Sequence, residues 1–362
     1  MRPYRVLSID GGGIRGIYSA VLLDGLAKRI AAANGAPKER LDVGKAFDLV
    51  VGTSTGALLS TALASGVALE EVIKLYKEQA RHIFSNPTPP SNPKMKFFKW
   101  IYGCLGKPAN TSNALEEALL RVLGSETVDE MYQRRGISLC IPSINAETHQ
   151  AWVWKTPHDA RENRLQRDND YRLVDVCMSS AAAPLILPIH GVKKPKDAAG
   201  HVNWFVDGGL WANNPIMVAL VEALSFAPEE APIEIISVST CPPFKAPRVD
   251  STSCNRGLLG WSGGIGMMEM ALDSQSGAYD YMAKALSTSL AGRVKYVRLS
   301  DPPVSTEIAS ELRMDNPSEK NISALVGLAH QAIDMNISEA TTGNKSKALC
   351  AQVFSNLPAV VG

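Results

Sequence analysis

Phe47-Asp48-Leu49-Val50-Val51-Gly52-Thr53-Ser54-Thr55-Gly56-Ala57-Leu58-Leu59-Ser60-Thr61-Ala62-Leu63-Ala64 is the stretch that decides how this chain folds. A largely apolar run, Phe47 to Val51, enters Gly52, and a run of small and apolar residues from Ala57 to Ala64 reads as a helix ended by Gly66. A strand that passes through a tight turn into a helix predicts a parallel α/β unit. The turn itself, Gly52-Thr53-Ser54-Thr55-Gly56, fits G-x-S-x-G, the nucleophile elbow. That chemistry needs a hydroxyl on a sharp strand-to-helix turn. The flanking glycines let neighbouring backbone pass close, and the helix N-terminus faces a developing oxyanion. An ordinary turn serine carries the same letters, so the reading depends on a base and on oxyanion donors elsewhere in the chain.

Upstream, Arg5–Ile9 reads as a strand that stops at Asp10-Gly11-Gly12-Gly13-Ile14-Arg15-Gly16. A helix follows, with Ile17, Val21, Leu22, Leu26 and Ile30 on its apolar face. The glycine loop has two readings. One is a dinucleotide fingerprint, Gly11-x-Gly13-x-x-Gly16, with a phosphate on the helix N-terminus. The other is an oxyanion hole built from the amides of Gly11, Gly12 and Gly13. The fingerprint needs an acidic residue about 20 residues on, after the next strand; here that strand ends in Gly52-Thr53-Ser54. Downstream, the strand Trp204–Val206 enters Asp207-Gly208-Gly209. A serine nucleophile usually takes its base from a histidine held by an acid. In the order Ser, Asp, His only His330 follows Asp207, and it lies inside a helical pattern; His190 and His201 flank a loop and sit in no motif. The alternative is a two-member dyad, Ser54 with Asp207, which requires the carboxylate within hydrogen-bond reach in a partly desolvated cleft.

The remaining pattern predicts helices over Leu69–Arg81, Asn113–Leu123, Leu173–Ala183, Pro215–Leu224 with Pro215 in the first turn, Met267–Leu290 and Asn321–Ile337. It predicts strands over Ile137–Ile144, Gln150–Lys155, Ile233–Val238 and Val294–Leu299. No repeat or linker interrupts it, so one domain over 1–362 is expected, with a catalytic core at about 5–240 and the strands and helices of 241–362 packed on it. The 362 residues are 45% hydrophobic and 20% charged, which excludes a disordered chain. Thirty-seven Lys and Arg against 36 Asp and Glu leave a net charge of +1, with no global basic field for a nucleic acid polymer. Six scattered cysteines form no C-x-x-C pair, so no zinc or redox motif is signalled and reduced thiols in a cytoplasmic setting are expected. The N-terminus lacks the apolar core of a signal peptide, and no apolar run reaches the roughly 18–20 residues that span a bilayer.

Three further segments carry competing readings. Lys94-Met95-Lys96-Phe97-Phe98-Lys99-Trp100-Ile101-Tyr102 through Lys107 reads either as a lid or membrane-contact segment or as a surface helix with packed aromatics. The charge-rich run Arg161–Arg172 reads as a solvated loop, with a phosphate clamp as the minor reading; its Asp168-Asn169-Asp170 lacks the Gly and distal Glu of a calcium loop. Trp261–Met268, ahead of a long helix, reads as acyl-tunnel lining, an oligomer contact or core.

Taken together and in this order, Gly11-Gly12-Gly13-Ile14-Arg15-Gly16, Gly52-Thr53-Ser54-Thr55-Gly56 and Asp207-Gly208-Gly209 followed by Trp211-Ala212-Asn213-Asn214-Pro215 resemble the patatin-like phospholipases. The segment Met178–Pro184 is similar to one that family members carry before the aspartate, and the likeness covers about residues 5–240. The resemblance implies an α/β fold, a patatin-like three-layer α/β/α sandwich with a mainly parallel central sheet. It implies a Ser54 nucleophile, an Asp207 base, an oxyanion hole from Gly11, Gly12 and Gly13 with Thr55 as an extra donor, and Arg15 as support. Gly16, Gly52, Gly56, Gly208 and Gly209 then shape the turns. It implies calcium-independent hydrolysis of membrane phospholipid acyl esters through an acyl-enzyme, with no metal and no cofactor. Within the family the chain looks most like bacterial anti-phage effectors. These are switched on by a cyclic di- or oligonucleotide from a partner nucleotidyltransferase and act at the inner face of the cell membrane. A constitutive lipid hydrolase and a nucleotide-binding regulatory module are the rival readings, and homo-oligomerisation is left open.

Overall fold

A computed structural model describes residues 1–35, 40–88, 94–159, 166–241, 254–255, 257, 261, 264–290, 292–309, 311–342 and 348–360. Its strands are β1 (Tyr4–Ile9), β2 (Leu49–Gly52), β3 (Ser138–Asn145), β4 (Gln150–Lys155), β5 (His190–Lys193), β6 (Val202–Asp207), β7 (Ile233–Val238) and β8 (Val294–Arg298). Its helices are α1 (Gly16–Ala33), α2 (Thr55–Ser65), α3 (Leu69–Ile83), α4 (Lys94–Gly103), α5 (Asn113–Leu123), α6 (Val128–Arg135), α7 (Leu173–Ala181), α8 (Gly209–Ala212), α9 (Ile216–Phe226), α10 (Ile265–Ser289), α11 (Thr306–Ala309), α12 (Glu319–Thr341) and α13 (Ala348–Phe354).

The eight strands form one mixed sheet in the order β5-β6-β3-β2-β1-β7-β8, with β4 on β3. Strands β3, β2, β1, β7 and β8 run parallel, and the β4, β5 and β6 pairings are antiparallel. Helices α1, α2 and α7 cover one face of the sheet, while α9 and α10 cover the other, giving the expected three layers. All six residues of β7 and all four of β2 are buried, as expected of parallel strands covered on both faces; β2 is apolar throughout, while β7 carries Glu234, paired with Arg5, and Ser237. Ten of the eleven α2 residues are buried, which explains its small side chains: this helix has no solvent face to make polar.

The predicted elements are present with shifted ends. Pro215 precedes α9 rather than opening it, and its carbonyl accepts from Ala219 N at 2.9 Å. The short elements β5, α6, α8, α11 and α13 went unpredicted. A capping box at Thr127 and Glu130 starts α6 and Gly136 in the left-handed region ends it, so the signal was local and legible.

The register on β3 places the chemistry. Strand β4 fills one edge of β3 from Cys140 to Asn145. The other edge is shared: β2 pairs along Ser138–Cys140, running parallel, and β6 pairs along Ser143–Asn145, running antiparallel. The C-terminal ends of β2 and β6 therefore meet head-on. An aromatic cluster of Trp152, Trp154, Tyr171 and Phe205 anchors β6 against β4, with each edge-to-face pair contributing about 0.5–1.5 kcal/mol.

The C-terminal third closes onto the same end of the sheet. Arg298 at the end of β8 forms a two-nitrogen pair with the carboxylate of Asp10 and donates to Ser237 Oγ at 2.8 Å. Asp10 is nearly fully buried and immediately precedes the glycine loop. Replacing Arg298 by Ala leaves that carboxylate buried without its countercharge. Urea denaturation should show a loss of about 3–5 kcal/mol; a loss under about 1 kcal/mol would mean the pair acts as a surface pair.

Candidate active site

The elbow forms where β2 gives way to α2. Ser54 sits at φ 55°, ψ −118°, a strained conformation for a non-glycine residue, at a cost of about 1–3 kcal/mol. The surroundings hold it there. Ser54 N–H donates to Ser180 Oγ at 2.9 Å, and Ser180 Oγ donates onward to the Pro142 carbonyl at 2.6 Å. Thr53 Oγ1 donates to the Ala212 carbonyl at 2.6 Å. Gly56 lies so close to the end of β1 that a Cβ there would run into the carbonyls of Ile9 and Asp10.

Asp207 arrives from β6. Ser54 Oγ donates to Asp207 Oδ2 at 2.7 Å, and Gly209 N–H donates to Oδ1 at 2.6 Å. Burial pushes the Asp207 carboxyl up to about 6, against the two hydrogen bonds, which favour the charged form. No histidine bonds to either residue among the described contacts. His330 is exposed on α12, His190 bonds Asp175, His201 bonds Asp197, and His158 lies between Thr156 and Glu222. The structure thus brings together the dyad geometry and no third member.

The glycine loop lies against the elbow, with one correction to the expected donors. Gly11 N–H donates to the Asn213 carbonyl at 2.8 Å, and the Gly11 carbonyl accepts from Thr240 Oγ1 at 2.7 Å. Gly11 is therefore a structural member of the loop and has no amide to offer an oxyanion. The N–H groups of Gly12 and Gly13 have no acceptor among the described residues. Neither does that of Thr55, the first residue of α2, as expected at a helix N-terminus. Gly13 needs a glycine, since it sits at φ 59° against the Met314 carbonyl. The buried Arg15 holds the turn: its own N–H and its Nε both reach the Gly12 carbonyl, at 3.2 and 3.4 Å. Gly16 packs on Thr55 and Tyr76, Gly52 on the Gly56 carbonyl, and Gly208 on the Pro142 carbonyl, where a larger residue would not fit.

Ser54 and Asp207 sit in an open pocket lined mainly by apolar groups including Leu58, Ile83, Ala183, Ile186, Met268 and Leu272. Gly12, Gly13 and Thr55 line it too, so Ser54, Asp207 and these three residues share one cavity. Met268 makes part of the Trp261–Met268 segment pocket wall, as acyl-tunnel lining would require; residues 262–263 lie outside the described residues. Sequence reasoning missed four supports: Ser180, Asn213, Thr240 and the Met314 carbonyl, which accepts from Ile14 N–H at 2.8 Å. Ser180 and Asn213 lay within quoted motifs, whereas Thr240 and Met314 carried no local signal.

The charged run contains no clamp in its described part. Arg167 forks onto Asp168 and stacks on Trp152, and Arg172 forks onto Asp175; residues 160–165 lie outside the described residues. Asp168 also accepts from Lys155 N–H, which explains its burial without a calcium ion. Among the described residues, Cys140, His158 and Glu222 lie close enough to share a metal ion. Glu222 already pairs with Lys155 at 2.6 Å, and none of the three lines the pocket.

A strained serine after a buried strand, paired to an acid beside free backbone amides, defines a serine-hydrolase type of site on an α/β sandwich. Residues 7–220 match the patatin-like phospholipases, and the chain belongs to that family of lipid acyl hydrolases. It is 27% identical over 351 residues to a cGAMP-activated phospholipase of Vibrio cholerae, covering 95% of this chain and 93% of that one. A cGAMP-activated phospholipase of Escherichia coli is 31% identical over 60% of this chain and 55% of its own length. Patatin-like protein 1 of Oryza sativa is 26% identical over 92% and 82%. Among solved structures, human GIVD cytosolic phospholipase A2 aligns with 97% of this chain and 60% of its own, with a TM-score of 0.45 and 11% identity.

Because the Asp207 carboxyl sits at about 6 in the fold, it takes up a proton as pH drops through about 6, and a reaction that uses it as base should slow there. The stability effect has the opposite sign. A carboxyl raised above its unfolded value destabilises the fold once it ionises, so Asp207→Asn should stabilise the protein by about 3 kcal/mol at pH 7.5 and by about 1 kcal/mol at pH 4.5. Denaturation at the two pH values reads this directly, and an equal effect at both would contradict it.

Proposed function

We propose that this chain is a phospholipase A-type acyl hydrolase of membrane phospholipids, with Ser54 as nucleophile and Asp207 as base, switched on by a cyclic nucleotide in anti-phage defence. The observation that carries the hydrolase reading is the 2.7 Å bond from Ser54 Oγ to Asp207 at the wall of an apolar pocket that also holds free amides. The acyl chain lies along the apolar wall and the ester carbonyl meets Ser54. Asp207 Oδ2 takes the hydroxyl proton as Oγ attacks the carbonyl carbon. The charge that develops on the carbonyl oxygen faces the N–H groups of Gly12, Gly13 and Thr55, backed by the α2 dipole. The tetrahedral intermediate collapses to an acyl-enzyme as protonated Asp207 returns the proton to the leaving lysophospholipid oxygen. Water then repeats the sequence, with Asp207 again as base, releasing fatty acid and restoring Ser54.

Nucleotide control is supported by the relatives named cGAMP-activated phospholipases, one of which aligns along nearly the whole chain. No helix among the described residues is long and apolar enough to cross a membrane.

Fatty-acid release from phospholipid vesicles, with and without cGAMP, tests both halves. Ser54→Ala and Asp207→Ala should each lower turnover by about 10³-fold or more while leaving the fold intact. Release that requires the nucleotide establishes the switch. Equal Ser54-dependent release in its absence makes the enzyme a constitutive hydrolase, and substantial turnover by Ser54→Ala overturns the mechanism.

A further inference from the structure

Exposed apolar side chains stand around the mouth of the pocket, beside one exposed acid of its lining, Glu269. Leu210 and Met267 on one side, Leu185 on another, and Phe98, Tyr102 and Leu105 in and after α4 are each between 44% and 78% exposed. They are continuous with the cavity. Leu210 lines it, Leu185 lies between the lining residues Pro184 and Ile186, and Met267 precedes the lining residue Met268. The α4 segment is tied to the same wall. Ala109 N–H and Asn110 N–H donate to the carbonyls of Leu185 and Ile186 at 2.8 and 2.9 Å, and Trp100 Nε1 donates to the Asn86 carbonyl.

Two further features say what this face meets. First, no Asp or Glu occurs between Glu78 and Glu116, while Lys96, Lys99 and Lys107 stand exposed there. Among cations, Tyr102 and Phe98 match the amphipathic order of a segment lying in a lipid–water boundary. Second, Leu185 is held at φ 68°, a conformation that favours glycine, yet presents a half-exposed leucine. A bulky apolar side chain displayed at a strained position, beside a cavity for acyl chains, gains nothing in water.

We propose that this rim is a bilayer-docking face: Leu185, Leu105, Tyr102 and Met267 enter the acyl boundary of an anionic leaflet, and the α4 lysines rest on its phosphates. The face rests on the acyl-hydrolase reading for its purpose. Its occupant is a phospholipid surface, since the basic, acid-free segment complements anionic headgroups and the apolar rim leads straight to Ser54.

The test compares three variants with the wild type: Tyr102→Ser with Leu105→Ser, Lys96→Glu with Lys99→Glu, and Leu185→Gly. None of these residues lines the pocket or touches the dyad. Co-sedimentation with phosphatidylglycerol–phosphatidylethanolamine vesicles, against pure phosphatidylcholine vesicles, reads docking. Hydrolysis of p-nitrophenyl butyrate reads the catalytic centre, each assay run with and without cGAMP. The wild type should sediment with the anionic vesicles, and less so in high salt. Each variant should lose about tenfold in vesicle binding and vesicle hydrolysis while keeping soluble-ester turnover within about twofold. Leu185→Gly should also raise Tm, because it relaxes the backbone. Unchanged vesicle binding in all three variants overturns the proposal, as does a shift in oligomeric state alone, which would make the rim a contact between copies of the chain. Vesicle binding by a wild type that releases no fatty acid would leave the face standing and remove the hydrolase reading. Soluble-ester turnover without vesicle binding would do the reverse.

Discussion

Everything at this site depends on two strands ending against each other along a single edge of β3. Because β2 runs up that edge to Cys140 and β6 runs down it to Ser143, their last residues converge from opposite directions. The turn after β2 must reverse sharply to start α2, and the turn after β6 must do the same to start α8. Ser54 and Asp207 are the residues caught between them, 153 positions apart in sequence and one hydrogen bond apart in space. A sheet with β6 one register step away would carry the same residues and no dyad.

Convergence costs stability locally. Ser54 holds a backbone conformation that a glycine would adopt more easily, Asp207 is a buried acid, and three amides of pocket-lining residues have no acceptor among the described residues. Each would be removed by selection for stability alone. The surroundings over-determine them: Ser180 braces the serine amide, Gly209 holds the second carboxylate oxygen, and Arg15 locks the Gly12 carbonyl from two directions. Local strain with a rigid frame is the arrangement that prepares a site for developing charge before substrate arrives.

The frame extends past the segment that matches the family. Thr240, Met314 and Arg298 all lie beyond residue 220, and they bond, respectively, Gly11, Ile14 and Asp10. The glycine loop is therefore sandwiched between the elbow on one side and the C-terminal elements on the other. Helix α10 contributes Met268 and Leu272 to the pocket. The second half of the chain shapes the cavity and fixes the loop, while the first half supplies Ser54 and the amides of Gly12, Gly13 and Thr55.

Local chemistry was legible in the sequence. Strand runs ending in glycine, the G-x-S-x-G turn and the Asp-Gly-Gly turn announce themselves because each demands particular residues within a few positions: no side chain at a close approach, a hydroxyl at the bend, an acid at a strand end. The alternating elements predicted the parallel core for the same reason. The role of Gly11 could not be read this way, since its N–H is taken by the Asn213 carbonyl from a turn 202 residues away. Nor could the supports Thr240 and Met314, or the choice of Asp207 over the six histidines as partner for Ser54. These follow from which strands share the edge of β3, and strand adjacency is set by packing between residues that the chain order keeps far apart. By itself the sequence determined the reactive groups and the turns that carry them; only the tertiary structure decided which groups meet, because hydrogen bonds and burial act across space and not along the chain.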